Sequence, residues 1–458
     1  MSTISIANVL SEYAVNLNYN DLPKAVVKQA KKSLLDTIGV TLAGSRSEVG
    51  KTFILLVKQW GGIKEATIFG DGTKVPSPNA ALVNGAMGHI HELDDGHRFA
   101  FGHPGVTSIP SAIAIAEKVS AGGKELITAT VLGYEIFIRI AKTINPSHRD
   151  RGFHTTGTCG TFGAAAAVGK ILGLSQEGML NALGIAAVQA AGLMEVMRGE
   201  SRIKPLNAGR AAHNGILAAL LAERGITAPR TIFEGENGFF KAYADNYNVN
   251  EIYESLGEDY KIGEIYIKRY AACRNIHPAI DCILYLIKEN KISPEEVDKI
   301  IVKTYSTAYK LTGTDYEPKT ESTAKFSAPY CIAAAITYGK LGLEEFTPDK
   351  IVDKRLLRLA RKVKVEVDPT FEELVPEKRG ASVEISTKKG DKYVWTVENP
   401  KGEPEIPISN EELQEKFKNL ASPILDDNRV YDIITTVDRL EKVKDINNFT
   451  EYLATTIS

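Results

Sequence analysis

The chain has 458 residues, a formal net charge of −2 and 43% hydrophobic residues. That length suits two or three domains, and that apolar content can fill a substantial core. The near-zero charge argues against a nucleic-acid partner, which needs a basic face, and no stretch approaches the ~20 apolar residues that span a bilayer.

Taken in chain order, the first half reads as helical. Residues 24–43 place Val27, Ala30, Leu34, Ile38 and Leu42 on one face of a 3.6-residue period, with Pro23 before and Gly44 after. Residues 124–143 repeat the pattern with Ile127, Val131, Tyr134 and Ile138. Residues 161–172, 176–197 and 208–224 are rich in Ala and Gly, which predicts buried, closely packed helices, and Gly225 supplies a stop. Near 262 the period changes. Residues 264–269, 299–305, 363–367, 381–386 and 392–397 alternate apolar and polar positions, as half-buried strands do. The last two are joined across Gly390-Asp391, which reads as a hairpin. Helices intervene at 278–290 and 324–340. Pro400, Pro404 and Pro407 mark a linker, and Ser409 with Glu412 forms a capping box that opens a final helical stretch. The expected fold is mainly α with an α+β second domain. A large all-helical domain spans 1–265 and is completed by 407–458; a smaller α+β lid spans 266–406.

Cys159, Cys273, Cys282 and Cys331 show no CxxC spacing, so disulfides and a thiolate zinc site are not expected, and a reducing cytosol fits. No charged start followed by an apolar run opens the chain, so the expected location is cytoplasmic.

Histidine carries the chemistry. Four of the eight histidines, His89, His91, His97 and His103, fall within fifteen residues, interleaved with Glu92, Asp94 and Asp95. Imidazole titrates near neutral pH, so such a cluster is either proton-transfer machinery or a metal cage. His89-Ile90-His91 is a common metal opening, but Leu93 and the displaced Asp94 fit no ligand set closely, and no metal is expected. His89 and His91 also read as satisfied helix or loop histidines. His154 stands among threonines and glycines before an Ala-rich helix, where backbone N–H groups can hold an anion. Lys204 and Arg210 flank the start of another helix, and a lysine there can neutralise a carboxylate. Arg274 and His277 lie where a strand is expected to turn into a helix. The sum suits proton abstraction next to a carboxylate: cations neutralise the substrate's charge, and a base of near-neutral pKa removes the proton.

These residues also carry a resemblance. The segments Asn84-Gly85 to His89, Glu92-Leu93-Asp94-Asp95, Gly102-His103-Pro104 and Phe153-His154 to Thr158 are similar to those of the MmgE/PrpD family. So are Lys204-Pro205 to Gly209, Phe233-Glu234-Gly235, Lys268 to His277, Phe326-Ser327 to Tyr330 and Pro400-Lys401-Gly402 leading to Lys416-Phe417. The resemblance implies a metal-free, cofactor-independent homodimer with a helical domain and an α+β lid. It implies a site of Glu92, His103, His154, Lys204, His277 and Tyr330, with Glu92 and Gly96 standing where the family carries other residues. The expectation is a lyase on a small di- or tricarboxylate. Dehydration of the 2-methylcitrate type stands first, with cis-aconitate decarboxylation or iminodisuccinate-type epimerisation as alternatives and a non-enzymatic carboxylate-binding protein as another class. In that reading His103 and His154 share acid/base work, Asp94 orients an imidazole, Tyr330 donates to a leaving group, and Lys204, Arg274 and His97 contact the substrate.

Overall fold

The computed structural model describes residues 5–197, 199 and 201–455. The fold is mainly helical with a small mixed sheet in the second half. Long helices at Lys24–Ser45, Gly105–Val119, Gly123–Ile144, Thr155–Ile171 and Lys204–Glu223 pack around one another. The Thr155–Ile171 helix is the axis, buried at every position from Thr155 to Gly169. Its small side chains allow that. The Gly123–Ile144 helix crosses it at Gly133 and Gly163, where a Cβ on Gly163 would lie 2.7 Å from the Gly133 carbonyl oxygen. Lys204–Glu223 meets Ser77–Gly88 as closely: a Cβ on Gly209 would sit 2.2 Å from the Leu82 oxygen. Interiors this dense have no slack for an added methyl.

A two-residue ladder pairs β1 (Ala66–Thr67) with β2 (Lys74–Val75). The main sheet has the order β4-β3-β5-β6, from β3 (Val297–Thr304), β4 (Val363–Val367), β5 (Ala381–Thr387) and β6 (Lys392–Val397). β3 runs parallel to β4 and antiparallel to β5. β5 alternates buried and half-buried residues along its length, with Ala381, Val383 and Ile385 turned into the core. The His277–Asn290 and Ala328–Tyr338 helices cover that face and share its apolar cluster. The Asn410–Ala421 helix returns to the first half and packs on Lys24–Ser45, with the Phe417 ring 3.0 Å from where a Gly39 Cβ would stand. Its capping box between Ser409 and Glu412 is formed. No helix among the described residues is long and apolar enough to cross a membrane.

Three expected elements differ. Residues 264–269 form no strand: Tyr266 bridges Gly96, Ile267 donates to the Gly402 carbonyl at 2.9 Å, and all of Ile265 to Lys268 is buried. The segment is a buried connector with a different partner on each side. The helix expected over 176–197 stops at Ala187, and beyond it the Gly192 carbonyl accepts from the His154 N–H at 3.0 Å, a bond outside any helix. The 324–340 helix is interrupted at Ser327, where Pro329 starts a new first turn and Ser327 Oγ accepts from the Tyr330 N–H.

Candidate active site

A cavity of about 490 Å³ opens between the helical half and the sheet-bearing half. Three of its side chains come from helix beginnings. His103 precedes Pro104 and the Gly105–Val119 helix, His154 is the N-cap of Thr155–Ile171, and Lys204 is the first residue of Lys204–Glu223. Helix N-termini carry the positive end of the backbone dipole, so three of them at one hollow favour an anion there.

Glu92 lines the cavity from a backbone φ of 53°, the left-handed region that non-glycine residues rarely adopt. Its grip explains the conformation. The Lys268 ammonium donates to the Glu92 carbonyl at 2.9 Å and lies 3.5 Å from its Oε2, while Lys204 pairs with Oε1. Burial alone would raise the Glu92 pKa, but the two ammoniums outweigh it and hold the carboxylate well below its usual range.

The imidazoles sit on a second carboxylate. Asp94 Oδ2 accepts from His89 Nδ1 at 2.7 Å and lies 3.2 Å from His103 Nδ1. The stronger partner of His103 Nδ1 is the Asp95 carbonyl, at 2.5 Å. A carbonyl only accepts, so the proton of neutral His103 is on Nδ1 and its Nε2 carries a lone pair. His103 lines the cavity, and Nε2 has no partner among the described residues. Burial would raise Asp94, yet His103 and His89 keep it well below the ordinary carboxylate value. His89 is driven down to about 4, first by burial and then by the Lys204 charge. His154 is held well below its ordinary value by burial, then by His89 and Lys204. Asn207 Nδ2 lies 3.1 Å from His154 Nδ1 and donates to it, which leaves the His154 proton on Nε2. His103 and His154 are therefore in opposite tautomers. Ligand atoms of His89, Asp94 and His103 lie within 4.8 Å of one another, but the Nδ1 atoms facing Asp94 are spent as hydrogen-bond donors.

The structure thus brings Glu92, Asp94, His103, His154 and Lys204 together, and Arg274 joins the same wall. Arg274 pairs with Glu403 and lies over the Tyr266 ring at 4.9 Å. Three expected residues are placed otherwise. Tyr330 is fully buried in the core under the sheet, where its hydroxyl donates to the Glu345 carbonyl at 2.7 Å. His277 is buried behind the wall, donating from Nε2 to the Ala272 carbonyl at 3.3 Å with its ring against Tyr270. His97 borders the cavity, but both its nitrogens are engaged: Nδ1 accepts from the Ala100 N–H and Nε2 donates to Glu264, each at 3.0 Å. A ligand would find no free atom on it.

The sequence reading gave no role to Lys268 or Asn207, although both lie in the matched segments. Lys416 was missed too. It pairs with Asp36 at 2.6 Å and donates to the carbonyls of Leu93 and Lys268 at 2.9 and 2.8 Å, pinning two site segments from behind. Gly96 has a local reason. A Cβ there would stand 2.4 Å from the Tyr266 hydroxyl, so the glycine leaves room for a ring that lines the cavity.

Comparison with known proteins follows the same lines. Residues 8–252 match the MmgE/PrpD N-terminal domain, and residues 270–442 match the MmgE/PrpD C-terminal domain. A cis-aconitate decarboxylase of Aspergillus terreus is 28% identical over 97% of this chain and 95% of its own length. The Homo sapiens cis-aconitate decarboxylase is 28% identical over 95% of this chain and 92% of its own. The 2-methylcitrate dehydratase of Escherichia coli K12 is 23% identical over 82% and 81%. With both domains matched in order over most of its length, the chain belongs to the MmgE/PrpD family.

Proposed function

We propose that the protein is a cofactor-independent lyase acting on a small di- or tricarboxylate. The observation that carries this is the pair of opposite tautomers, His103 with an open Nε2 and His154 with a proton on Nε2, beside the Lys204 and Lys268 ammoniums. For dehydration, His103 Nε2 takes the proton from the carbon next to a carboxylate. The C–H pair becomes the new double bond, the C–O bond breaks, and His103 hands the proton to the departing hydroxide, which leaves as water. Charge that gathers on the carboxylate meanwhile is met by the ammoniums, by the His154 Nε2–H and by the helix N-termini. Asp94 and the Asp95 carbonyl hold His103 in register.

Decarboxylation is the second reading. It is supported by the higher identity to cis-aconitate decarboxylases, 28% against 23% for the dehydratase. There the C–C bond to a carboxylate breaks, CO₂ leaves, and a protonated His103 delivers its proton to the carbon. The domain division at 265 and 407, a homodimer and the carboxylate partner belong to the same proposal. The exposed apolar side chains of Leu55, Trp60 and Ile63 support a protein-covered face.

The test is direct. The protein is incubated with 2-methylcitrate, citrate and cis-aconitate, and the unsaturated product's absorbance and CO₂ release are followed. His103→Ala should lower turnover by roughly 10²–10⁴-fold. No turnover of any of the three, or a fully active His103→Ala variant, would end the reading.

A further inference from the structure

The wall of the cavity holds more cations than the chemistry at His103 uses. Lys142 is neutralised by Glu251, Arg274 by Glu403, and Lys204 and Lys268 by Glu92. Arg149 and Arg379 line the same cavity, and among the described residues neither has a carboxylate within salt-bridge distance. They come from opposite sides. Arg149 lies in the short Ser147–Asp150 helix of the helical half, and Arg379 lies just before β5 of the sheet-bearing half. Both guanidiniums lie against one ring: Arg149 Cζ is 5.1 Å and Arg379 Cζ is 5.2 Å from the Phe101 centroid.

The ring is placed with care. Phe101 has a φ of 53°, and its loop is tied by the His97 N–H to the Gly102 carbonyl and by the Ala100 N–H to His97 Nδ1, each at 3.0 Å. Arg379 is steadied by donating to the Arg98 carbonyl at 2.6 Å. Beside them the Tyr305 hydroxyl donates to Asn275 Oδ1 at 2.6 Å, which leaves the Asn275 amide N–H groups to a ligand. Two like charges held near one aromatic ring without a counter-ion are unfavourable until an anion arrives. Burial and then the charge of Arg379 already depress the Arg149 pKa. A guanidinium fork matches a carboxylate, each arm giving two parallel N–H donors.

We infer that Arg149 and Arg379 form a second carboxylate subsite, which grips the end of the substrate remote from the reacting carbon. The inference rests on the lyase reading and sharpens it: the substrate carries one carboxylate at the Lys204 end and another that reaches the arginine pair. Phe101 lies against both guanidiniums, and a carboxylate bound there would link the two halves of the chain. His97 is then a positioning residue, since it shapes the loop that carries Phe101.

The test compares cis-aconitate with citraconate, which keeps the two cis carboxylates but has a methyl in place of the third arm. Kd is measured by calorimetry for wild type, Arg149→Gln, Arg379→Gln and the double variant, each carrying His103→Ala wherever the ligand is otherwise turned over. Losing one charge-assisted contact should weaken cis-aconitate roughly 10–100-fold in each single variant. Citraconate should change little, and the double variant should bind both alike. Lys variants carry the same test if a Gln variant does not fold: they keep the charge but lose the fork, so the preference for cis-aconitate should shrink in them without vanishing. An equal affinity in the wild type, or an unchanged preference in the double variant, overturns the subsite. If the wild type binds cis-aconitate and turns nothing over, the lyase reading fails, and the subsite is still judged on the binding ratio. If the wild type binds neither compound, both fail.

Discussion

Replacing Lys204 by Met tests the charge balance that holds Glu92. The two side chains are 11% and 8% exposed, so solvent screens little of their attraction. Removing one partner of a buried pair costs roughly 3–5 kcal/mol when the other charge is left alone. Here Lys268 Nζ stays 3.5 Å from Glu92 Oε2. At an effective dielectric of about 20, one such contact carries roughly 4–5 kcal/mol of Coulomb energy. The carboxylate keeps half its support, and the expected loss is roughly 2–3 kcal/mol. Adding Glu92→Gln should recover only part of it: the amide leaves no carboxylate to strand, but the buried Lys268 ammonium then has only Asp94, at 3.9 Å. Urea denaturation near neutral pH of the two single variants and the double reads the coupling directly. A Lys204→Met variant within about 0.5 kcal/mol of wild type, or a double variant whose losses simply add, would refute the reasoning.

Other expectations concern the rest of the molecule. Tyr330→Phe should lose about 1 kcal/mol with its bond to the Glu345 carbonyl and leave kcat unchanged; a large fall in kcat at unchanged stability would return Tyr330 to the chemistry. Gly209→Ala should cost roughly 1–3 kcal/mol or more, because its Cβ would stand 2.2 Å from the Leu82 oxygen, and a Tm equal to wild type would show that the two helices can part. Thermal stability should fall as the pH drops from 6.5 to about 4. Burial pushes His89 and His148 down to about 4, so over that window the unfolded chain binds more protons than the folded one. His91, His97, His154 and His277, also held down by burial, add to the fall, while the carboxyls that burial raises, Asp95 (to about 8), Asp36 and Glu135, oppose it. His148→Gln should flatten the slope of Tm against pH by one proton's worth; an unchanged slope would remove His148 from the account.

The helices were legible because their cause is local. Val27 to Leu42 repeat at helical spacing, and the Ala- and Gly-rich stretches announced close packing that Gly133, Gly163 and Gly209 now explain. The hairpin at Gly390 and the cap at Ser409 were equally readable, each being set by a few adjacent residues. Residues 264–269 misled because alternation reports a half-buried strand, while the four residues Ile265 to Lys268 are buried in succession by partners remote in sequence. The site was legible as a set of residue types. Its internal roles were not, since the tautomer of His103 depends on the Asp95 carbonyl and that of His154 on Asn207. Tyr330 was drawn in by resemblance alone, and the fold gives its hydroxyl to Glu345. Arg149 and Arg379 carried no motif; only the cavity shows that both lack a counter-ion among the described residues.

The return of the Asn410–Ala421 helix onto Lys24–Ser45 has a consequence for synthesis. Lys32 donates to the Ile408 carbonyl, a partner 376 residues later. Chains grow from the N-terminus, so the ribosome must add the 376 residues that separate the two before that surface is covered. Until then Asp36 and Gly39 lack the Lys416 ammonium and the Phe417 ring that cover them, and contacts this distant form slowly. Nascent chains are therefore most exposed to aggregation late in translation, and a stop codon before 410 would make that vulnerable interval permanent.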